Sequence, residues 1–411
     1  MNERVLQINC VYEKGSTGKI TECLQKNLRQ QGIEAYVFYG RKKGTPEDYI
    51  TYVGNEVESK VSHALSMLTG IMYGGCLSET INIIHRIKKM NPDIVHLQCI
   101  NGYFVNIYSL LKWLAKKRIP TVLSLHAEFM YTGNCGYALD CNKWKNDKGC
   151  SDCFQWRAET HSLFGDRTAI GWKKMKSAFE DFDTDKLEIV SVSPWLQNRA
   201  ECSAILKRFR HRTIYNGVNT EIFKKIERFD DAKEKTSKHI IFHATAFFSS
   251  DREHIKGGYY LIKLAECMKE ENVEFWIAGD YDANISVPDN VKLLGKVNDQ
   301  KVLASYYSKA DVTVLVSKRE TFSMVCAESL CCGTPVVGFY AGAPETIALR
   351  EYSRFVPFAD LESMRKKILE VIGENFSGDA IMEAAHQRYS ECKMTESYLA
   401  VYRKLLGGED E

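Results

Sequence analysis

Short apolar, β-branched runs alternate along this chain with longer stretches whose apolar residues recur at helical spacing. The first run, Val5–Asn9, reads as a strand. A glycine-containing loop follows, then a helix over about Lys19–Gln31 and a strand at Glu34–Tyr39. The alternation continues with a helix at Ile81–Met90, a strand at Ile94–Leu97, a helix at Ile107–Lys117, and strands at Thr121–Leu125 and Ile189–Ser193. Val218–Phe223 closes this half. The charged segment Lys224–Lys238 reads as a solvated linker, and then the pattern restarts. Strands fall at Ile240–His243, Glu274–Ala278, Val291–Leu293, Val312–Val316 and Pro335–Gly338. Helices fall at Gly258–Lys269, Val302–Ser308, Ser323–Cys332, Met364–Gly373 and Ala380–Leu406. Such alternation implies parallel sheets covered on both faces, so the fold class is α/β with two units in tandem. Ligands of such sheets bind at the carboxyl ends of strands, which makes the crevice between the units the default site.

Composition narrows the picture. The chain has 411 residues, 45% hydrophobic and 26% charged, with 8 prolines. That length suits two or three domains of roughly 150 residues and excludes collagen-like, disordered and mini-protein classes. The net charge of +2 hides a split: residues 1–220 carry 30 Lys/Arg against 22 Asp/Glu, the remainder 25 against 31. The basic front half either attracts anions at long range or is merely uneven surface charge. The N-terminus lacks a charged region followed by an apolar one, and no apolar run approaches the roughly 20 residues of a spanning helix. The expectation is a soluble, cytoplasmic protein. Its 14 cysteines are then mostly buried reduced thiols, unless some bind metal.

The densest constellation runs from Ser317 to Glu345. Glu320 ends a strand and stands in the loop, and Glu328 lies inside the next helix. Gly333 suits the left-handed position after that helix, and Thr321 or Ser323 can cap its start. This geometry aims the N–H groups of Ser323, Met324 and Val325 at the crevice, a ready site for a diphosphate. The plain alternative is a buried helix with two surface glutamates. A glycosidase pair needs carboxylates on opposed surfaces, which one strand–helix turn does not supply.

The segment resembles the E-x7-E signature of retaining glycosyltransferases of family 4, whose fold is GT-B, two Rossmann-like domains facing a central cleft. The match continues through Gly333-Thr-Pro-Val-Val and Gly342-Ala-Pro-Glu345. The resemblance implies that Glu320 touches donor-sugar hydroxyls, Glu328 the ribose, and the Ser323–Val325 amides the diphosphate. It implies that Lys256, before Gly257 and Gly258, grips the diphosphate together with Arg252, although the loop around Arg252 departs from the family's Gly-Arg opening. Gly279 resembles the turn beneath the nucleotide, and Lys296 with Val297 the segment whose backbone reads the base, with UDP the commonest donor nucleotide in the family. The loop Gly15-Ser16-Thr17-Gly18 fails the P-loop pattern, since Glu13 and Ile20 occupy two of its required positions. It resembles the family's glycine-rich first turn, facing donor phosphates and acceptor. His126 resembles the family histidine that hydrogen-bonds the donor sugar, but Ala127 and Glu128 follow it where the family has Asp. Alone, a histidine at a strand end is more often structural, and His96 reads as a core or crevice-lining residue.

The resemblance further implies residues 1–216 as acceptor domain, 217–390 as nucleotide-sugar domain, and 391–411 as a helix crossing back. The expected activity is metal-independent, retaining transfer of a hexosyl unit from a nucleotide-sugar to a sugar or lipid-linked glycan in bacterial capsule or exopolysaccharide synthesis. A sugar-nucleotide epimerase of the same fold and a non-catalytic binding protein are the rivals.

Cys135, Cys141, Cys150 and Cys153 form C-x5-C-x8-C-x2-C within an insertion at 135–153. Four thiolates this close fit a structural zinc, while four reduced thiols or two redox pairs are the alternatives. A nucleic-acid-binding zinc finger is disfavoured, because the second C-x2-C is missing. The strings at Asp181–Asp185 and Asp280–Asp282 mimic a D-x-D metal motif of a different fold, so no catalytic metal is expected. Finally, Phe164–Phe182 mixes Trp172 with Lys173, Lys174 and Lys176. It either lies on an anionic membrane or packs Trp172 and Phe179 inward.

Overall fold

The computed structural model describes residues 3–44, 47–226 and 238–407. Of the segment read as a linker, residues 227–237 lie outside the described residues. The chain divides into two units: Met1–Tyr215 with Met394–Glu411, and Asn216–Lys393.

Unit 1 carries strands β1 (Arg4–Asn9), β2 (Glu34–Tyr39), β3 (Ile50–Tyr52), β4 (Ile94–Leu97), β5 (Thr121–Leu125), β6 (Leu187–Ser191) and β7 (Arg210–Thr213). Its helices are α1 (Gly15–Gln30), α2 (Glu56–Thr69), α3 (Leu77–Met90), α4 (Ile107–Lys116), α5 (Trp156–Thr160), α6 (Thr168–Phe179) and α7 (Pro194–Glu201). The described strands form one parallel sheet in the order β3-β2-β1-β4-β5-β6-β7. Val5, Leu6 and Ile8 on β1 are all fully buried, as both faces of the sheet are covered. The strand order reverses between β1 and β4, where loops from the strand ends diverge and leave room for a ligand.

Unit 2 carries β8 (His239–Phe248), β9 (Val273–Tyr281), β10 (Val291–Gly295), β11 (Val312–Leu315), β12 (Val336–Phe339) and β13 (Ser353–Val356), ordered β10-β9-β8-β11-β12-β13 and parallel. Its helices are α8 (Gly258–Cys267), α9 (Gln300–Lys309), α10 (Met324–Cys331), α11 (Pro344–Ile347), α12 (Leu361–Gly373) and α13 (Gly378–Tyr389). A last helix, α14 (Glu391–Leu405), returns the chain to unit 1 from Met394 onward.

Two expected elements differ. Val218–Phe223 is a turn rather than a strand, with only Val218 pairing, its N–H donating to Tyr389 at 2.7 Å beside a bridge to Ser390. The single helix expected over Ala380–Leu406 is two, because Ser390 is extended at ψ 148° and takes part in that bridge. Pattern alone misses this break, since Ser390 is tolerated in a helix and the competing partner lies far away in sequence.

The return of the chain rests on a polar network within unit 1. His96 on β4 meets the Tyr402 hydroxyl through Nδ1 and the Ser124 hydroxyl through Nε2, both at 2.7 Å, and Ser124 meets Tyr398 at 2.7 Å. All four groups are buried among Val5, Leu24, Ile94 and Leu399. His96 is therefore a core residue, and burial pushes its pKa down to about 3, keeping it neutral.

Candidate functional site

In unit 2 the carboxyl ends of β8 and β11 open on a cavity lined by His243, Lys256, Ser317, Glu320, Ser323 and Val325, among others. Lys256 Nζ donates to Glu320 Oε1 at 2.7 Å. The glutamate side chain is 16% exposed and the lysine 33%, so water screens the pair only partly. Each member is fixed by backbone. Gly257, at φ 72°, passes so close to β11 that an added Cβ would stand 1.9 Å from the Val316 carbonyl oxygen. Lys318 N–H donates to Ile255 at 2.8 Å and locks the same crossing. Glu320 pairs with the segment after β12: its N–H donates to Ala341 at 3.0 Å, and it accepts from Ala343 at 3.3 Å. Glu345 closes that turn by accepting the N–H groups of Ala341 and Gly342 at 3.1 and 2.8 Å. The run Gly342-Ala-Pro-Glu345 thus positions Glu320.

Ser323 sits in the left-handed region at φ 86°, a costly place for a side-chain-bearing residue. Its hydroxyl accepts from Cys326 N–H at 3.3 Å, and α10 starts at Met324. The helix start therefore borders the cavity through Ser323 and Val325. Glu328 stands one turn farther along α10, half-buried, with Oε2 accepting from the Tyr307 hydroxyl at 3.1 Å.

His243 reads from sequence only as the end of a strand. It is 3% exposed, its Nδ1–H donates to Val314 at 2.9 Å, and Nε2 faces no partner. Burial pushes its pKa down to about 4, so at neutral pH it is an uncharged imidazole with an available Nε2 lone pair. The only signal in the sequence is a histidine at the carboxyl end of an apolar strand.

The other expected donor residues of unit 2, Arg252, Gly279, Lys296 and Val297, do not line this cavity. Arg252 is exposed, its guanidinium 5.9 Å from the Tyr259 ring centre, and is absent from the cavity wall. Gly279, at φ 149°, lets β9 approach β8, since a Cβ there would lie 2.2 Å from Thr245 O. Lys296 Nζ pairs with Asp280 at 3.2 Å in an exposed contact, with half-buried Val297 beside it. Asp282 accepts from the Ser249 hydroxyl at 2.9 Å, and Asp183 pairs with Arg118 at 2.6 Å.

In unit 1, α1 begins at Gly15, with Gly15 and Ser16 exposed and Thr17 half-buried. The Asn9 side chain holds the turn by donating to Val11 and Thr17 at 2.8 and 3.2 Å. Gly18 is packed against Glu13 and Val11, where a Cβ would sit at 3.2 Å. His126 Nε2 meets Gln98 Oε1 at 2.9 Å, and burial lowers its pKa to about 4. Glu128, near the position of the family's acid, is fully buried. It accepts from Arg199 at 2.6 Å, Tyr131 at 2.9 Å and the Ala138 N–H at 2.7 Å. It anchors the cysteine-rich loop rather than orienting His126.

Cys135, Cys141, Cys150 and Cys153 line one cavity with Trp144 and Lys143. None is in a disulfide, and Cys150 Sγ accepts from Gly133 N–H at 3.1 Å. Among the described residues no group of three or more His, Cys, Asp or Glu is already arranged to hold a metal ion. In α6, Trp172 and Phe179 are buried, while Ile170 on the same helix and Phe164 before it are exposed. A further exposed apolar stripe lies on α2, at Val57, Val61, Leu65 and Leu68. Among the described residues no helix is long and apolar enough to cross a membrane.

Residues 243–374 match the profile of the glycosyl transferases group 1, and residues 19–222 that of glycosyltransferase family 4. A relative in Escherichia coli strain K12, provisionally named the colanic acid biosynthesis glycosyl transferase WcaC, is 19% identical over 98% of this chain and 100% of its own. An uncharacterized 41.2 kDa protein in the cps region of Klebsiella pneumoniae is 22% identical over 78% of this chain and 81% of its own. Among solved structures, sucrose-phosphate synthase from Thermosynechococcus elongatus superposes with a TM-score of 0.66, at 16% identity over 98% and 99% of the two chains. Anabaena HepE in complex with UDP-glucose superposes with a TM-score of 0.60, at 13% identity over 97% and 99%. Two parallel α/β units, profile matches that span most of the chain and these neighbours agree: the chain belongs to the family 4 glycosyltransferases and has the GT-B fold.

Proposed function

We propose that this protein transfers a hexosyl unit, with retention, from a nucleotide-sugar to a sugar or lipid-linked glycan in bacterial surface polysaccharide synthesis. One observation carries the reading: a Lys256–Glu320 pair and a neutral His243 meet the start of α10 around a single cavity. Lys256 and the first N–H groups of α10 receive the negative charge that develops on the leaving diphosphate. Glu320 accepts hydrogen bonds from donor-sugar hydroxyls, and His243 Nε2 offers one more acceptor. Glu328 holds the ribose. No carboxylate nucleophile is invoked, and the acceptor proton leaves through a donor phosphate oxygen, so these residues position and stabilise rather than bond covalently.

The Anabaena neighbour holds UDP-glucose, which supports UDP as the donor nucleotide. Relatives named for colanic acid and for a cps region support the pathway. Neither an epimerase nor a non-catalytic protein is favoured by any of them. The exposed stripe on α2, with Lys60 beside it, supports peripheral contact with the cytoplasmic face of a membrane. A structural zinc on the four cysteines is also part of the proposal, supported by four thiols around one cavity. The test is a thermal-shift screen against UDP, GDP, ADP and their sugar conjugates. A rise with one nucleotide, lost in Lys256→Ala and Glu328→Ala, is expected. No rise with any of them sinks the reading.

A further inference from the structure

Glu128 is spent on the cysteine-rich loop, which leaves the ring of His126 to be fixed by other groups. Two glutamines do so across neighbouring strands. His126 follows β5, Gln98 follows β4 and Gln7 lies on β1, and these strands are adjacent in the order β1-β4-β5. His126 Nε2 meets Gln98 Oε1 at 2.9 Å. Gln98 Nε2 donates to Gln7 Oε1 at 3.1 Å, and Gln7 Nε2 donates to the Thr21 carbonyl on α1 at 3.3 Å. Gln7, Gln98 and Thr21 are all buried, so solvent does not compete for these bonds.

This relay has one direction, and a backbone carbonyl sets it. Thr21 O can only accept, so the Gln7 amide turns its NH2 group to Thr21 and its oxygen to Gln98. Gln98 must then give its NH2 group to Gln7 and its oxygen to His126. That oxygen also only accepts, so the proton between them sits on His126 Nε2. Turning either amide over would set oxygen against oxygen in a buried site and lose hydrogen bonds that nothing replaces. Burial lowers the pKa of His126 to about 4, so at neutral pH the ring carries one proton and Nδ1 holds the lone pair. The backbone around the relay is held as well. Gln98 N–H donates to Ile8 at 2.9 Å, and Asn9 Oδ1 accepts from Cys99 N–H at 3.0 Å. Asn9 Nδ2 donates to the Thr21 hydroxyl at 2.9 Å, and that hydroxyl donates to Thr17 at 2.8 Å. The relay therefore ends in the first two turns of α1, which hold Gly15 to Gly18.

We infer that Gln98 and Gln7 are positioning residues: they fix His126 as its Nε2–H tautomer, so that Nδ1 accepts a hydrogen bond from a sugar hydroxyl. The inference rests on the transferase reading. It adds the groups that orient the histidine where Ala127 and Glu128 replace the family's acid, and the ring nitrogen that meets the sugar. Neither glutamine touches the sugar; both act through His126.

The test is nuclear magnetic resonance of the full chain labelled with 15N-histidine, at neutral pH, with His126→Gln identifying the His126 signals. In the wild type Nε2 is expected to carry the proton and Nδ1 the lone pair. Gln7→Leu removes the anchor without touching His126. Gln98 can then turn over, and signals of both tautomers are expected. Gln7→Glu is the conservative variant: burial keeps its carboxyl protonated, so it still donates to Thr21 and accepts from Gln98. It is expected to restore the single tautomer. In the same samples kcat of Gln7→Leu is expected to fall about fivefold, the worth of one neutral hydrogen bond, and to recover in Gln7→Glu. The nucleotide-induced thermal shift is expected to stay unchanged in both. If Gln7→Leu does not fold, the Gln7→Leu, Gln98→Leu double variant replaces both amides by apolar groups. It is expected to lose the exchange protection of the Nε2 proton and the same fivefold in kcat. A proton on Nδ1 in the wild type, a pure and protected Nε2–H tautomer in the folded leucine variants, or wild-type kcat in a variant with mixed tautomers overturns the assignment. Failure of the transferase reading shows separately, as absence of the nucleotide-induced thermal shift with the tautomer of His126 as stated.

Discussion

Replacing Gly257 by alanine tests whether the Lys256–Glu320 pair acts through its geometry. Two costs arise. The first is conformational: at φ 72° an L-residue pays about 1–2 kcal/mol. The second is steric. The new Cβ would lie 1.9 Å from the Val316 carbonyl oxygen, whereas real Cβ contacts stay beyond 3.0 Å, so the loop must move by about 1 Å. The carbonyl is backbone and the new Cβ is fixed rigidly to backbone, so no flexible side chain can absorb the shift. A misplacement of that size at a positioning group costs about 100-fold in rate. Gly32→Ala is the control: it has the same left-handed backbone, φ 84°, with nothing within 4 Å of a Cβ. Both variants are expected to lose about 1–2 kcal/mol or somewhat more, a few degrees in Tm for units of this size. Only Gly257→Ala is expected to lose turnover, by about 100-fold, with Lys256 still present. The assay is nucleotide release from the donor at saturating concentration, with unfolding followed on the same samples. Wild-type turnover in Gly257→Ala, or an equal loss in Gly32→Ala, would refute the reasoning.

Glu320→Gln is expected to lower kcat more than donor affinity, whereas Glu328→Ala chiefly raises the Kd of the nucleotide; steady-state kinetics with calorimetry separates them, and equal small effects count against both roles. Three histidines, His96, His126 and His243, are held neutral, with pKa values pushed down to about 3, 4 and 4. The unfolded chain binds those protons near pH 6.5, so stability is full above that value and falls as pH drops toward 4, each histidine adding about 1.4 kcal/mol per pH unit. Denaturant midpoints from pH 7 to 5 check the sign, and a flat profile contradicts the burial argument. Elemental analysis is expected to find about one zinc per chain, with Cys141→Ser or a chelator lowering Tm. Metal-free protein with four thiols reacting at once excludes the staple.

What is legible in the sequence is what local chemistry alone specifies. The strands of both central sheets stand out because they are buried on two faces and read as apolar runs, β1, β4, β5 and β11 among them. The segment from Ser317 to Glu345 is legible for a related reason. Ser323 and Glu345 each take up a local backbone bond that a turn demands, whereas Glu320 is held by the distant segment after β12. Elements set by distant partners are not legible. β7 reads Arg-His-Arg-Thr, with no apolar pattern, and pairs at the sheet edge because Arg210 and Arg212 both meet the buried Glu188 on β6, at 3.1 and 2.7 Å. The exposed face of α2 carries Val57, Val61, Leu65 and Leu68 and is as apolar as a core face, so hydrophobic pattern does not tell the two apart.

His243 and Glu128 show why residue type at a strand end is a weak guide to role. Both follow apolar runs in sequence, and both are buried. Their difference lies in what surrounds them. Glu128 spends both oxygens on Arg199, Tyr131 and the Ala138 N–H, so its charge is compensated within the fold and nothing remains for a ligand. His243 spends one nitrogen on Val314 and leaves the other facing a cavity that also holds Lys256 and Glu320. An uncompensated buried acceptor costs about 1–3 kcal/mol, a cost that a donor hydroxyl would relieve. His243→Ala therefore removes that cost from the empty protein while removing a contact from the bound one. It is expected to leave stability unchanged or raised, to weaken donor binding and to lower turnover. A variant that loses stability without losing donor affinity would show that His243 serves the core alone.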